Sequence, residues 1–174
     1  MMRFIAPVGS SIAALGAVAA LTPAAALGRP TPAVSSHRVS LSGEIETLSS
    51  TGTIGVAGVK DTDAGILDGT VSGSPRWSGA LRQVVTWGPE LSIRARGTAF
   101  DAGGTLRFTL VGKFAARSTG GLALTGTLTV TGGTGSYRHA HGSLRVTGVA
   151  SLAAGSTKST FDLSGALRYP KPHG

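Results

Sequence analysis

Apolar and polar residues alternate with a period of two along most of the chain. The clearest stretch covers residues 122–131, where leucine, valine and glycine alternate with alanine and threonine. A period of two with β-branched residues on the polar side is typical of a strand that buries one face. Weaker or shorter versions of the pattern predict further strands at residues 38–46, 54–59, 66–71, 77–87, 91–99, 106–114, 144–146 and 161–169. The chain therefore predicts eight or nine strands and, outside its N-terminal apolar segment, no long helix.

Glycines on the apolar faces of these strands favour a closed barrel over a sandwich. Seven of them lie near the middle of a strand: Gly43, Gly79, Gly97, Gly112, Gly126, Gly148 and Gly165. Glycine weakens a strand interior, but it lets a tightly coiled strand bend where larger side chains would collide. Short Gly-rich connections also require antiparallel pairing, because a parallel crossover needs about a dozen residues. We predict an all-β fold, a closed antiparallel barrel of eight (eight or nine) strands.

The N-terminus has the pattern of a secretory signal peptide. Arg3 is its only charge before Arg29, and the apolar run Ile12–Leu21 is followed by Pro23 and the small residues Ala24–Ala26. A basic start, an apolar segment and an A-x-A site together predict export with cleavage after Ala26. The alternative, an uncleaved anchor, is disfavoured because a membrane span needs about 20 apolar residues. The predicted organisation is a signal peptide at 1–26, an extended linker at 27–37, the barrel domain at 38–169 and a C-terminal tail at 170–174.

The charge balance of the chain is basic. It has 16 Lys and Arg against 8 Asp and Glu, a formal net charge of +8, and no cysteine. A basic surplus attracts polyanions such as anionic cell-wall polymers, acidic lipid heads or nucleic acid. The basic residues are scattered singly along the sequence, which favours a solubilising surface. Without cysteine, neither a disulfide nor lipid attachment through a thiol is available.

A glycine-rich stretch, Gly132–Gly133–Thr134–Gly135, is predicted to form the turn between two strands. Reversal within four residues requires at least one of these glycines to adopt a positive φ. It is not a phosphate-binding loop, because no Lys-Ser or Lys-Thr and no helix follows. His139 and His141 share one side of the next segment, but a metal site needs a third ligand, and none is identified. We predict exposed histidines and no bound metal.

The same stretch continues as GGTGSYRHAHG, from Gly132 to Gly142, and resembles the motif of dirigent proteins and allene oxide cyclase barrels. In that motif the glycine turn is followed by an aromatic, a basic, a small residue and a glycine, matched here by Tyr137, Arg138, Ala140 and Gly142. The resemblance implies an eight-stranded antiparallel barrel with an apolar lumen. In the plant relatives that lumen holds a lipid-derived epoxide or a phenoxy radical pair. The acidic and polar lumen residues of those proteins have no clear counterpart in this sequence, so their activity is not carried over.

The inward faces of the predicted strands are almost entirely apolar. Gln83 is their one clear polar member in mid-strand, and no carboxylate is placed inward there, so general acid–base catalysis has no visible group. Asp61 and Asp63 are assigned to turns. Large aromatics on the inward face serve as core or as the wall of a pocket. The candidate ligand-binding residues of the lumen are Trp77, Gln83, Trp87, Phe108 and Tyr137.

Three functions are compatible with this sequence. The favoured one is a secreted soluble barrel that binds a small apolar ligand in its lumen. The alternatives are an isomerase or cyclase that steers an apolar substrate by shape, and a basic cell-surface module that binds polyanions. No catalytic residue, cofactor or specific nucleic-acid partner is predicted, and self-association stays open. No membrane span is predicted after signal cleavage, since the chain has too few aromatics for the girdles of a transmembrane barrel.

Overall fold

Eight strands, each paired antiparallel with the next, close into one barrel in the computed structural model, which describes residues 33–72, 76–151 and 158–170. The strands are β1 Val34–Ser50, β2 Lys60–Val71, β3 Trp77–Trp87, β4 Ser92–Asp101, β5 Gly104–Ala116, β6 Leu122–Gly133, β7 His141–Ala150 and β8 Lys158–Pro170. The barrel closes because β8 pairs with β1, from Val34 opposite Pro170 to Glu46 opposite Lys158. The predicted all-β closed barrel is confirmed, with eight strands.

The alternating pattern separates the core from the surface as expected. In β3, Trp77, Leu81 and Val85 are buried inside the barrel, whereas Arg82 and Val84 between them are exposed. The other strands contribute inward leucine, valine and phenylalanine in the same way. The inward side chains of the described strands therefore form a single apolar core. In the described part of the chain, no helix is long and apolar enough to cross a bilayer.

Two of the inward glycines show why the barrel needs them. Gly112 of β5 and Gly126 of β6 lie directly opposite each other. A β-carbon at Gly126 would lie 2.6 Å from the carbonyl oxygen of Val111 and 2.9 Å from the Cα of Gly112. Both separations are shorter than non-bonded contacts of a carbon atom allow, so the two strands can approach this closely only without side chains at the pair.

The boundaries at the N-terminal side differ from those predicted. β1 begins at Val34, so the last residues of the predicted linker 27–37 belong to the barrel, with His37 opposite Leu167. The predicted strand at 54–59 is wrong: these residues form turns between β1 and β2. The signal peptide, the linker up to residue 32 and the tail at 171–174 lie outside the described residues.

The glycine-rich connection is longer than the predicted four-residue turn. Gly132 and Gly133 complete β6, and residues 134–140 reverse the chain through a 3₁₀ turn at Gly135–Tyr137. Gly135 adopts φ 59°, so the prediction of a positive φ is confirmed. Gly133 is required for another reason, because a β-carbon there would lie 2.4 Å from the carbonyl oxygen of Thr105.

Candidate functional site

The barrel lumen contains a cavity of about 250 Å³. We call the end of the barrel with the connections 51–59, 88–91 and 117–121 the upper end, and the end with 102–103 and 134–140 the lower end. The cavity reaches the upper end, where Ile54, Ser151 and Thr160 border it. Its walls are mainly leucine, valine and isoleucine with five aromatic rings: Trp77, Trp87, Phe108, Phe114 and Phe161. Among the described residues, it is an apolar cavity that reaches the surface at the upper end.

Two carboxyl groups of β2 face this cavity. Asp61 and Asp63 are 3% and 5% exposed, and both line the lumen. Asp63 accepts hydrogen bonds from Thr47 Oγ1 at 2.9 Å and from Gln83 Nε2 at 3.0 Å. Asp61 Oδ2 accepts one from the indole N–H of Trp87, while its Oδ1 has no partner among the described residues. The prediction that no carboxylate faces inward in mid-strand is therefore wrong.

The register of three strands builds the Asp63 network. Thr47 of β1 lies directly opposite Asp63 of β2, and Asp63 lies directly opposite Gln83 of β3. Side chains of directly opposed residues point to the same face of a sheet and lie within hydrogen-bond reach. Gly97 follows on β4, opposite Gln83, and a β-carbon there would lie 2.9 Å from the Cβ of Gln83. The missing side chain at Gly97 leaves room for the glutamine.

A sequence signal for the two aspartates exists, although the adjacent residues hide it. Leu67 and Val71 are buried, so every second residue before them, back to Asp63 and Asp61, faces inward as well. Ile66 is 66% exposed, and its apolar character obscured this parity. Because the strand was predicted to begin at residue 66, the aspartates were assigned to turns. Extending the alternation of Leu67 and Val71 backwards would have identified them.

Burial changes the acidity of Asp63. It raises the pKa of Asp63 above the usual aspartate value, against the opposing hydrogen bonds from Gln83 and Thr47, and the charge of Asp61 raises this pKa further. The described lining of the cavity contains no lysine, arginine or histidine. The upper part of the lumen therefore carries acidic groups that no neighbouring cation in the described lining neutralises.

Tyr137 closes the lower end of the barrel. Its hydroxyl donates to Asp101 Oδ2 at 2.5 Å and accepts from Trp77 Nε1 at 3.0 Å. Burial raises the pKa of Tyr137, and the Asp101 carboxylate adds to this increase. Of the five predicted ligand-binding residues, Trp77, Gln83, Trp87 and Phe108 line the cavity, whereas Tyr137 is not part of its wall. Tyr137 instead holds Trp77 in place from below.

A buried histidine completes the lower end. The ring of His37 stacks on Tyr169 with centroids 4.0 Å apart, and Tyr169 meets Tyr137 edge-on at 5.4 Å. His37 Nδ1 donates to the carbonyl oxygen of Ser72 at 2.8 Å, so the proton lies on that nitrogen. His37 lies in the segment predicted to be a linker without a core, so the sequence pattern gave no indication that it is buried.

The two histidines after the glycine turn lie on the surface. His139 and His141 are both exposed, and His141 Nδ1 lies 3.0 Å from the carbonyl oxygen of His139. Within the described residues, no three histidine, cysteine or carboxylate side chains are grouped so that they could hold a metal ion. This stretch contributes two buried side chains, Tyr137 and Ala140, to the lower end of the barrel.

The similarity of this chain to known proteins is low. No protein-family model matches the chain, and no curated protein matches it either. Among solved structures, the chain is similar to one named pyocyanin demethylase, with a TM-score of 0.43 and 19% sequence identity. The match covers 74% of this chain and 99% of that chain. Similarity at this level supports no transfer of function.

Proposed function

We propose that this protein binds a small, mainly apolar ligand in the barrel lumen. The observation that carries the proposal is the cavity of about 250 Å³, walled by aliphatic and aromatic side chains and reaching the upper end of the barrel. Pockets for drug-sized ligands measure about 300–1,000 Å³, so this one suits a compact molecule of a few rings better than a long lipid. The resemblance of residues 132–142 to dirigent and allene oxide cyclase barrels agrees with such a role.

Intrinsic fluorescence gives a direct test of lumen binding. The chain has 2 tryptophans, Trp77 and Trp87, and both line the cavity. Titration with a compact aromatic compound such as naphthalene should therefore quench the emission. Ala99→Leu fills part of the lumen and should weaken binding, whereas Ala115→Leu adds the same volume at an exposed position and should not. Equal binding by both variants would place the compound outside the lumen.

Co-purification distinguishes binding from catalysis. Mass spectrometry of the folded protein from its source should find a compact apolar molecule bound in stoichiometric amount. Incubation of that molecule with fresh protein should return it unchanged. Conversion to an isomer or cyclised product would instead support the enzyme alternative, with Asp61 and Asp63 as the acid–base groups in contact with the lumen.

An arginine patch on the outer face supports a second candidate function. Arg82 and Arg107 flank Thr98 directly, from β3 and β5, and Arg96 and Arg94 follow on β4. All four arginines are exposed, and none forms a salt bridge with a described residue. The interpretation that the basic residues are scattered singly is therefore wrong for the folded chain. Arginine forks and threonine hydroxyls together suit phosphate or sulfate groups, so we propose binding of an anionic polymer.

Matched charge removal tests this second candidate. Arg82→Ser with Arg107→Ser should weaken binding to a polyphosphate chain at low salt and reduce the dependence of binding on salt. Arg38→Ser with Arg168→Ser removes the same charge from exposed positions on β1 and β8 and should have a smaller effect. Equal losses in both double variants would mean that net charge alone attracts the polymer.

Export is also part of the proposal. The signal-peptide pattern of residues 1–26 supports it. N-terminal sequencing of protein from culture medium should find a start near Leu27. Protein that begins at Met1 would contradict cleavage.

A further inference from the structure

We infer that the lumen selects compact aromatic ligands with a positively charged or hydrogen-bond-donating group directed to Asp61 at the upper end. This inference rests on the proposed binding in the lumen and specifies the chemistry of the ligand. Three observations carry it: an unpartnered buried carboxylate oxygen, the absence of cations from the described lining, and an aromatic pair beside the carboxylate.

One carboxyl oxygen of Asp61 accepts no hydrogen bond from the described residues. Its Oδ2 is occupied by the indole N–H of Trp87, and its Oδ1 is buried without a partner in the described part of the chain. Both oxygens of Asp63 are already occupied, by Thr47 and Gln83. A buried carboxylate oxygen without a donor loses its hydration and gains nothing in return. An N–H or O–H group supplied by a ligand would satisfy it, so Asp61 is the point of recognition.

Electrostatics determine which ligands are excluded. The two carboxyl groups are two residues apart on the inward face of β2, and the described lining holds no basic side chain. A ligand carboxylate placed here would meet like charge in a low-dielectric environment. A fatty acid bound head-first from the upper end is therefore disfavoured. An ammonium or protonated ring nitrogen would meet opposite charge.

The adjacent rings favour a flat ligand. Trp87 and Phe114 are stacked with centroids 5.2 Å apart and an interplanar angle of 24°, and both line the cavity. The bond from Trp87 to Asp61 fixes the indole beside the carboxylate. An aromatic ligand can pack on this pair, and a cation on it would also be attracted by the ring faces. The ring and the charged group of one compact ligand are thus recognised side by side.

Three probes with the same ring system test the inference by calorimetric titration: 1-naphthylmethylamine, 1-methylnaphthalene and 1-naphthoate. We expect the amine to bind at least about tenfold more tightly than the methyl compound, because one charge-assisted hydrogen bond contributes that much affinity. We expect the naphthoate to bind most weakly. Asp61→Asn keeps the shape of the side chain and should sharply reduce the preference for the amine without changing the affinity for methylnaphthalene, and Asp63 accounts for any preference that remains. Asp162→Asn, at an exposed position of β8, is the matched control and should leave all three affinities unchanged.

The outcomes separate this inference from the proposed function. If none of the probes binds, the lumen-binding proposal itself fails. Binding of all three with equal affinity, or a preference for the naphthoate, would leave lumen binding in place and overturn the inference. A preference for the amine that persists undiminished in folded Asp61→Asn would overturn it too. If Asp61→Asn does not fold, the order of the three probe affinities in the unmodified protein tests the inference by itself.

Discussion

Replacing Tyr137 by phenylalanine should destabilise the barrel by about 2–3 kcal/mol, because one hydroxyl serves two partners. Trp77 is 3% exposed, so its indole N–H would lose its acceptor where water cannot replace it. That loss alone costs about 1–3 kcal/mol. Asp101 is only half-buried and keeps hydrogen bonds from the N–H groups of Gly103 and Gly104. Loss of its hydrogen bond from Tyr137 should therefore destabilise the protein less than the loss at Trp77. The ring stays in place, and no cavity is created.

Urea unfolding measures this effect, with Tyr169→Phe as the matched control. Tyr169 is 5% exposed and packs against Tyr137, but its hydroxyl forms no hydrogen bond with a described residue. Its replacement should cost less than about 1 kcal/mol. We expect Tyr137→Phe to lower the midpoint of unfolding at unchanged m-value. Equal midpoints for the two variants would refute the argument that the shared hydroxyl stabilises the lower end.

Alkaline unfolding provides a second measurement of the same group. The pKa of Tyr137 is raised in the folded protein, so the folded state keeps this proton above the ordinary tyrosine value of about 10. Its contribution to stability is complete below that value and is lost as the pH rises through the raised pKa. Tyr137→Phe should therefore lose less stability between neutral and strongly alkaline pH than the parent. Some loss remains, because the pKa of Tyr169 is raised as well.

Three further predictions concern the strands and the acid pair. Gly126→Val should destabilise by about 1–3 kcal/mol in thermal unfolding, because its β-carbon would overlap β5. Gly133→Val should lower the melting temperature by several degrees, because its β-carbon would overlap the carbonyl oxygen of Thr105, whereas the exposed His141→Ala should leave it nearly unchanged. The opposite ranking would contradict this close approach. Burial raises the pKa of Asp63, so stability falls as the pH rises above about 4, and Asp63→Asn should flatten this part of the pH–stability curve.

The closed barrel could be predicted from local patterns. Alternation along a strand such as 77–87 depends only on the period of the backbone, so it assigned Trp77, Gln83 and Trp87 to the inside correctly. Inward glycines such as Gly126 indicated closure, because only tightly coiled strands need them. The length of the connection after Gly133 was less predictable, since both a short turn and a longer loop accept glycine.

The site was only partly predictable. Gln83 was recognised as an inward polar residue, but its partner Asp63 was not, because Ile66 lies on the outer face of the same strand. His37 was assigned to a linker because proline-rich sequence precedes it. Tyr137 was expected in the lumen, yet its hydrogen bonds to Asp101 and Trp77 hold it below the cavity.

Taken alone, the sequence determined the class of fold, the sides of most strands and the need for glycine inside the barrel, since these depend on residues close together along the chain. Only the tertiary structure decided which distant residues meet. The register across β1, β2 and β3 brings Thr47, Asp63 and Gln83 into one hydrogen-bonded row. The register across β3, β4 and β5 places Arg82 and Arg107 on either side of Thr98. Strand parity is a local property, but register is set by turn lengths and barrel closure, and a one-residue shift would replace every one of these neighbours.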